Sequence, residues 1–450
     1  MNDLELARRA LALLDGDESQ ATVTHERSLA TRFARSTPTQ ATAVEQTTVE
    51  LLCVRDGQTG SARTNRLDDD GLRAAAQRAR AATIAAARSG AGEYPGLPEP
   101  ANVDACAGFD PATAALDPAQ AAGALRTAFA ACASAGLEAF GLWTAGAVHT
   151  AIASSRGIAL TEAVTDAHLK VIARDTAGRS GFASATSVAS GEIDAGAVVS
   201  AAIERRASRE PLELAPGAYP VVLDHAAVAT LLEFLAELAF NGLLHAEGRG
   251  ALTDRIGERV CAPNITIRDE PGASGTFSRA FDAEGVPKHA LTLIGDGVAR
   301  AVVHDTRSAA RAHAVSTGHA LTPGGDPDGA IPTNLVLHGG GAASLEELCA
   351  PIERGIYVTR LWYVNTVEPR EAVLTGMTRD GTFLIEDGRI GRPLRDVRFT
   401  DSVLRILADT EELTAALRLV GEADLYGERF ATAALCPALR ATGFRVSGSA

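Results

Sequence analysis

The hydrophobic pattern of this chain changes period several times before it settles into strands. Residues 3–15 carry apolar positions at Leu6, Ala10, Leu13 and Leu14, which predicts a helix with Asp3 as its N-cap. β-type segments follow around 19–33, 41–55 and 58–65, separated by the turn signals Thr37-Pro38 and Asp56-Gly57. Asp69 or Asp70 then caps an alanine-rich helix over 71–89. Pro95, Pro98, Pro100, Pro111 and Pro118 make 90–118 a loop-rich stretch, and a helix over 118–135 ends near Gly136. Residues 137–174 alternate apolar and small polar groups between Gly141, Gly146 and Gly157, which predicts antiparallel strands, with a further turn and strand at 178–187. A helix over 194–209, started by Asp194, precedes a break at Glu213–Pro220.

That break is the predicted domain boundary. The expected fold class is α+β: an α/β N-terminal domain over 1–215, then a β-rich C-terminal domain over 216–450 with an embedded helix at 225–240. Val228, Leu231, Leu232, Leu235 and Leu238 form an apolar stripe at helical spacing, so this helix should pack inside the second domain. Further on, Asp380-Gly381 and Asp387-Gly388 read as tight turns bracketing a strand over 382–386, and Asp401 reads as the N-cap of a helix. The chain closes with a strand, ATGFRVSG, and shows no fixed repeat period.

Composition narrows the function classes. The 450 residues are 46% hydrophobic and 22% charged, ordinary for a chain that buries real cores. A net charge of −14 argues against general nucleic-acid binding, which needs a basic stripe. No two of the six cysteines are closer than twenty-six residues, so there is no CxxC pattern, and scattered thiols suit a reducing cytosol. The N-terminus does not read as a signal peptide, and no apolar run approaches the ~20 residues of a membrane span. The expectation is a cytoplasmic protein with neither membrane nor nucleic-acid partners.

The candidate chemistry is sparse. Zinc catalysis needs about three protein ligands and one open position. The ten histidines offer no pair three or four apart: His25-Glu26 has no second histidine, His313 and His319 are six apart, and His225 and His245 flank the 225–240 helix twenty residues apart. Each reads as a surface or cap histidine, and no metal or cofactor is expected. His338-Gly339-Gly340-Gly341 matches an esterase oxyanion loop, but the chain has no Gly-x-Ser-x-Gly elbow. The segment reads instead as a turn feeding a helix with a capping box of Ser344 and Glu347. Cys349 and Cys436 read as buried small hydrophobes. Arg360, Trp362, Tyr363 and Asn365 share one strand and are the candidate substrate-binding residues. Alternation puts Arg360, Trp362 and Val364 on one face and Tyr363 and Asn365 on the other. Glu233 and Glu237, four apart, read mainly as a solvated or interface face, with a cation or acid–base role as the alternative.

The run VVLDHAAVATLLEFLAELAFNGLLHAEGRGALTDRIGERVCAP at 221–263 resembles the heart of the TldD/PmbA family. So do TRFARSTPTQ and GSARTNRLDD near the N-terminus, and most closely the segment from Gly355 to Leu407. In the TldD branch this helix carries His-Glu-x-x-x-His, two zinc-binding histidines and a water-activating glutamate. Here Glu233 and Leu238 stand at the two histidine positions and Phe234 at the glutamate, a degenerate metal site, so the chain is similar to the PmbA (TldE) branch. The resemblance implies a non-catalytic subunit of a cytoplasmic zinc peptidase acting on unfolded or leader peptides, including in peptide natural-product maturation. Its implied partner is a TldD-like zinc-bearing relative, as a heterodimer or higher assembly, or a homodimer in that relative's absence. A stand-alone repurposed enzyme of a secondary-metabolite pathway and a peptide-binding scaffold are the alternatives.

Overall fold

The computed structural model describes residues 2–14, 18–89, 94–421 and 427–449. The first sheet takes six strands from the N-terminal part: β1 (Glu18–Ala34), β2 (Thr37–Arg55), β3 (Gln58–Thr64), β4 (Glu138–Ser154), β5 (Ala159–Arg174) and β6 (Ser180–Ser187). They run antiparallel in the order β3-β2-β1-β4-β5-β6. The helices α1 (Asp3–Leu11), α2 (Asp69–Ser89), α3 (Pro111–Ala114), α4 (Pro118–Ser134) and α5 (Ala195–Glu204) belong to the same half.

Alternation decides what each face of this sheet meets. Along β4 and β5 the odd positions Trp143, Ala145, Leu169 and Val171 are buried under α4 and α5. Val23, Leu51, Ala151 and Ala153 are buried with Leu6 and Ala10 of α1 and Leu72, Ala75 and Ala79 of α2. The even positions of β4 to β6 point the other way, toward the C-terminal part. There Arg429 pairs with Asp166 on β5 at 2.6 Å and donates to the Thr144 hydroxyl on β4 at 3.0 Å. Gly146 makes room for it, since a Cβ there would stand 2.3 Å from the Arg429 Nε.

The C-terminal part is built from β7 (Gly217–Leu223), β8 (Ile267–Asp269), β9 (Leu291–Gly295), β10 (Val298–Ala299), β11 (Leu335–Leu337), β12 (Arg354–Glu368) and β13 (Val373–Glu386). It continues through β14 (Arg389–Pro393), β15 (Val397–Ser402), β16 (Thr410–Leu413), β17 (Arg418–Val420), β18 (Ala434–Cys436) and β19 (Leu439–Ser449). One sheet runs β10-β9-β8-β11-β18-β17. The other runs β12-β7-β19-β15-β13-β14, and because β12 also pairs with β13 the circuit closes on itself. The helix α6 (His225–Leu238) lies in the core between these sheets, with nine of its fourteen residues buried. Val228, Leu231, Leu232, Leu235 and Leu238 are all among them, as their spacing requires.

The elements form where the pattern places them, and several of their ends do not. Asn2 caps α1 in place of Asp3, and α1 ends at Leu11; residue 15 of the expected helix lies outside the described residues. Asp68, one residue ahead of the expected caps, accepts the Gly71 N–H at 2.6 Å. Within the loop-rich stretch, whose residues 90–93 lie outside the description, Asp110 caps the one-turn α3. α5 ends at Glu204, five residues early, so that Arg205 is free to reach Asp224. Glu347 reaches the Ala343 N–H at 2.6 Å, one residue before the Ser344 cap.

Asp380-Gly381 is no turn: β13 runs straight through it as a bulge opposite Val358–Arg360. Gly381 sits at φ 134, and a Cβ there would lie 2.4 Å from the Thr359 Oγ1. Ser402, and not Asp401, caps the next helix; the Asp401 carboxylate is fully buried against Arg405. Asp387-Gly388 does form the expected tight turn, with both residues at positive φ.

Candidate functional site

The outward face of α6 is the floor of a cavity of about 190 Å³ between the two domains. Ala226, Ala229, Thr230, Glu233 and Glu237 recur at three- and four-residue intervals, so one side of the helix lines it while the apolar stripe faces the core. The first sheet supplies the roof through its even positions, His168 and Lys170 on β5 and Phe182 and Ser184 on β6. Arg360 and Leu361 of β12, residues 331–333 and residues 432–434 complete the walls. β6 is the last strand of its sheet, so among the described residues the edge carrying Phe182 and Ser184 has no strand neighbour beyond it.

The start of α6 is pinned by charge. Asp224 caps the helix through the His225 N–H at 2.8 Å and takes the His225 Nδ1 at 2.7 Å on the same oxygen. Its other oxygen takes Arg205 at 2.6 Å and the Tyr357 hydroxyl at 2.7 Å. Burial by itself would raise this carboxyl, but the His225 hydrogen bond and the Arg205 charge outweigh it and hold Asp224 well below the usual carboxylate range. Arg205 closes α5 in the first domain, so this cluster also ties the two domains together across the end of the cavity.

Arg360 is the most constrained cation at the site. Its guanidinium lies 4.4 Å from the Phe182 ring centroid and 4.9 Å from that of Trp362, and it pairs with Asp380. The bulge at Asp380-Gly381 brings that carboxylate across, and the Arg360 Nε is buried without a partner among the described residues. Opposite it, His168 is 3% exposed, with Nδ1 2.9 Å from the Thr186 hydroxyl and a buried Nε2 that has no partner among the described residues. Burial, with Lys170 and Arg429 nearby, drops its pKa to about 3, so the ring is neutral at neutral pH. Glu237 is pushed up by burial and then by Asp328.

Of the four candidate binding residues, only Arg360 lines the cavity. The simple alternation fails because Tyr363 sits at φ 53 in a second bulge, where the register with β13 shifts between Trp362 and Asn365. Trp362 stacks between Arg360 and Arg379. Tyr363 is 75% exposed on a projecting hairpin, and the exposed Asn365 donates to the Tyr363 carbonyl at 3.0 Å. Of the three degenerate metal positions, Glu233 faces the cavity while Phe234 and Leu238 pack on the core. His168, Lys170 and Phe182 lie outside every motif; strand parity was the available signal, once β5 and β6 were known to face the second domain. His225 and His319 are buried against Asp224 and Asp269 respectively, and are not surface histidines.

Zinc does not fit these residues. The helix face toward the cavity offers two carboxylates and no imidazole or thiol. Among the described residues no group of three or more His, Cys, Asp or Glu is arranged to hold a metal ion. No helix among them is long and apolar enough to cross a membrane.

Comparison with known proteins agrees with this architecture. The profile of the PmbA/TldA metallopeptidase C-terminal domain matches residues 216–448, and that of PmbA/TldA metallopeptidase domain 1 matches residues 21–83. A metalloprotease of Methanothermobacter thermautotrophicus is 26% identical over 203 residues, covering 45% of this chain and 44% of its own length. A metalloprotease TldD homolog of Haemophilus influenzae is 25% identical over 221 residues, 46% of this chain and 44% of its own. The match thus spans just under half the length of these relatives. The crystal structure of TldE from Thermococcus kodakarensis shares the fold with a TM-score of 0.85 at 18% identity, over 99% of both chains. The C-terminal profile alone covers more than half of the 450 residues, and the chain belongs to the TldD/PmbA family of metallopeptidase-type proteins.

Proposed function

We propose that this chain is a non-catalytic, TldE/PmbA-like subunit of a cytoplasmic TldD-type zinc metallopeptidase, and that it receives extended segments of unfolded or leader peptides, including precursors of peptide natural products. The observation that carries this is the cavity face of α6. In a family named for metallopeptidases, that face presents Thr230, Glu233 and Glu237 with no metal-ligating imidazole or thiol, yet it still floors a cavity. Among the described residues β6 is an edge strand along the same space, with its Phe182 carbonyl taken by Arg205 at 3.3 Å, and the rest of such an edge can hold an extended chain through backbone hydrogen bonds. Arg360, locked between two aromatic rings, and the neutral His168 offer fixed polar contacts above the floor. The zinc and its activated water would belong to a TldD-like partner. The division at 215/216 is the matching domain reading: the break precedes β7, and among the described residues each sheet keeps to one side of it, with a single bridge from Leu212 to Leu394 crossing over.

Co-expression with a TldD-like relative tests the proposal by sedimentation and by hydrolysis of an unfolded peptide. A complex is expected, with hydrolysis requiring the relative. A chain that neither binds the relative nor changes its activity would overturn the subunit reading. The alternative, a stand-alone enzyme, draws on His168 and Glu233 facing one cavity, and it would show as chelator-resistant turnover by the chain alone.

A further inference from the structure

The chain contains 42 basic residues, and only two of them, Lys170 and Lys288, are lysines. Each lines an interdomain cavity: Lys170 the one above α6, Lys288 a second of about 250 Å³. A sequence that uses arginine for every other cation keeps lysine only at these two positions. Arginine's planar fork needs space in fixed directions, whereas an ammonium is a compact point charge with three rotatable donors.

The second cavity lies between the first sheet, through Thr22, Thr24 and Glu162, and the loops carrying Arg279, Asp282 and Lys288. Its hydrogen-bonding capacity is lopsided. The acceptors are already engaged. Asp282 takes the Glu284, Val286 and Ala320 N–H groups, each at 2.9 Å. Glu162 takes the Ala280 N–H at 3.0 Å, and Glu50 and Glu428 each pair with Arg63 at 2.8 Å. Two of the four cations in the walls are held tightly, Arg63 by Glu50 and Glu428 and Arg429 by Asp166 at 2.6 Å. Lys288 and Arg279, the latter 4.1 Å from the Phe430 ring centroid, are held loosely by hydrogen bonds. The Lys288 ammonium, 2% exposed, donates to the Gly318 carbonyl at 3.1 Å and lies 3.6 Å from Asp269, whose near oxygen also bonds His319 at 3.0 Å. Arg279 reaches Glu162 at 3.4 Å and the Ala431 carbonyl at 3.3 Å, both long, and its buried Nε has no partner among the described residues. Walls with spare donors and saturated acceptors complement a ligand rich in acceptors.

Thr333 belongs to the walls of both cavities, and the segment separating them, residues 428–434, contributes to each. Thr333 is thus the shared wall past which an extended chain lying over α6 would reach Lys288 and Arg279. We infer that the second cavity holds the C-terminal carboxylate of a bound peptide, with Lys288 and Arg279 as its donors. The inference rests on the peptide-binding reading above and adds to it an end and a direction. Burial lowers the Lys288 pKa, with Asp269 and Asp282 opposing, and a carboxylate ligand would oppose that lowering further.

Calorimetric titration of the full chain tests this with three probes: the pentapeptide Ala-Leu-Ala-Leu-Ala with a free C-terminus, its C-terminal amide, and succinate as a free small carboxylate. The free acid is expected to bind about tenfold or more tighter than the amide, the size of a lost hydrogen bond to a charged group. Lys288→Gln and Arg279→Gln should each abolish that difference. Arg279→Gln decides the matter if Lys288→Gln does not fold. Equal affinity for acid and amide, with both displaced by Thr230→Trp in the first cavity, overturns this inference and leaves peptide binding standing. Succinate binding that depends on Lys288, without an acid–amide difference, overturns it in favour of a free small acid. Failure of both peptides to bind strikes the peptide-binding reading itself.

Discussion

Replacing Asp224 with alanine is expected to destabilise the C-terminal domain by about 3–4 kcal/mol, because it strands a cation and uncaps the central helix at once. The carboxylate is 3% exposed and holds Arg205, the Tyr357 hydroxyl and the backbone N–H and Nδ1 of His225. Removing one partner of a buried ion pair costs about 3–5 kcal/mol, since the remaining charge keeps its desolvation penalty. Arg205 retains 19% exposure, so water softens that penalty and the lower end applies. The lost cap adds part of the ~1 kcal/mol typical of such positions, less than additively because the same oxygens serve both roles. Urea unfolding measures the change. The chain has only two tryptophans, so a Trp143→Phe background leaves Trp362 to report the C-terminal domain. The pH dependence supplies a signature. The folded carboxyl titrates below its unfolded value of about 4, so its contribution is complete above that value and is lost as pH falls through the folded pKa. The gap between wild type and Asp224→Ala should therefore narrow only below about pH 4. A loss smaller than about 1 kcal/mol at neutral pH, or a gap that does not change in acid, would refute the electrostatic account.

The other predictions follow the same logic. His168, buried neutral with a pKa of about 3, makes the unfolded state the better proton acceptor. Stability should fall by about 1.4 kcal/mol between roughly pH 7.5 and 5.5 through this group alone, and His168→Gln should flatten that slope in chemical denaturation. Leu232→Ala, at a fully buried position of α6, should cost about 2–5 kcal/mol by the same assay. Gly146→Ala places a methyl against the Arg429 guanidinium and should cost about 1–3 kcal/mol, visible as a lowered Tm. Thr230→Trp, on the exposed face of α6, should fill much of the 190 Å³ cavity and abolish peptide binding while leaving the Tm within a few degrees of wild type.

Local chemistry alone determined many of the elements, though not the one-turn α3 or the passage of β13 through Asp380-Gly381. Helix α6 was legible because five large apolar residues at helical spacing have no stable place except a core. The antiparallel sheet of the first domain was legible because period-two alternation on a pleated strand commits one face to burial. The tertiary structure alone decided where the site lies. His168, Lys170 and Phe182 stand more than forty residues before α6, and their facing positions depend on how one sheet packs against the other domain. Trp362, Tyr363 and Asn365 stand outside the cavity because of bulges at Tyr363 and at Asp380-Gly381, whose positive-φ residues reset which face follows. Alternation is a rule for unbroken strands, and a bulge is set by the register of the partner strand, which no short window contains. The lopsided donors of the second cavity are likewise a product of assembly: Lys288 and Arg279 are ordinary residues in sequence, and burial against the first domain limits the partners they can find.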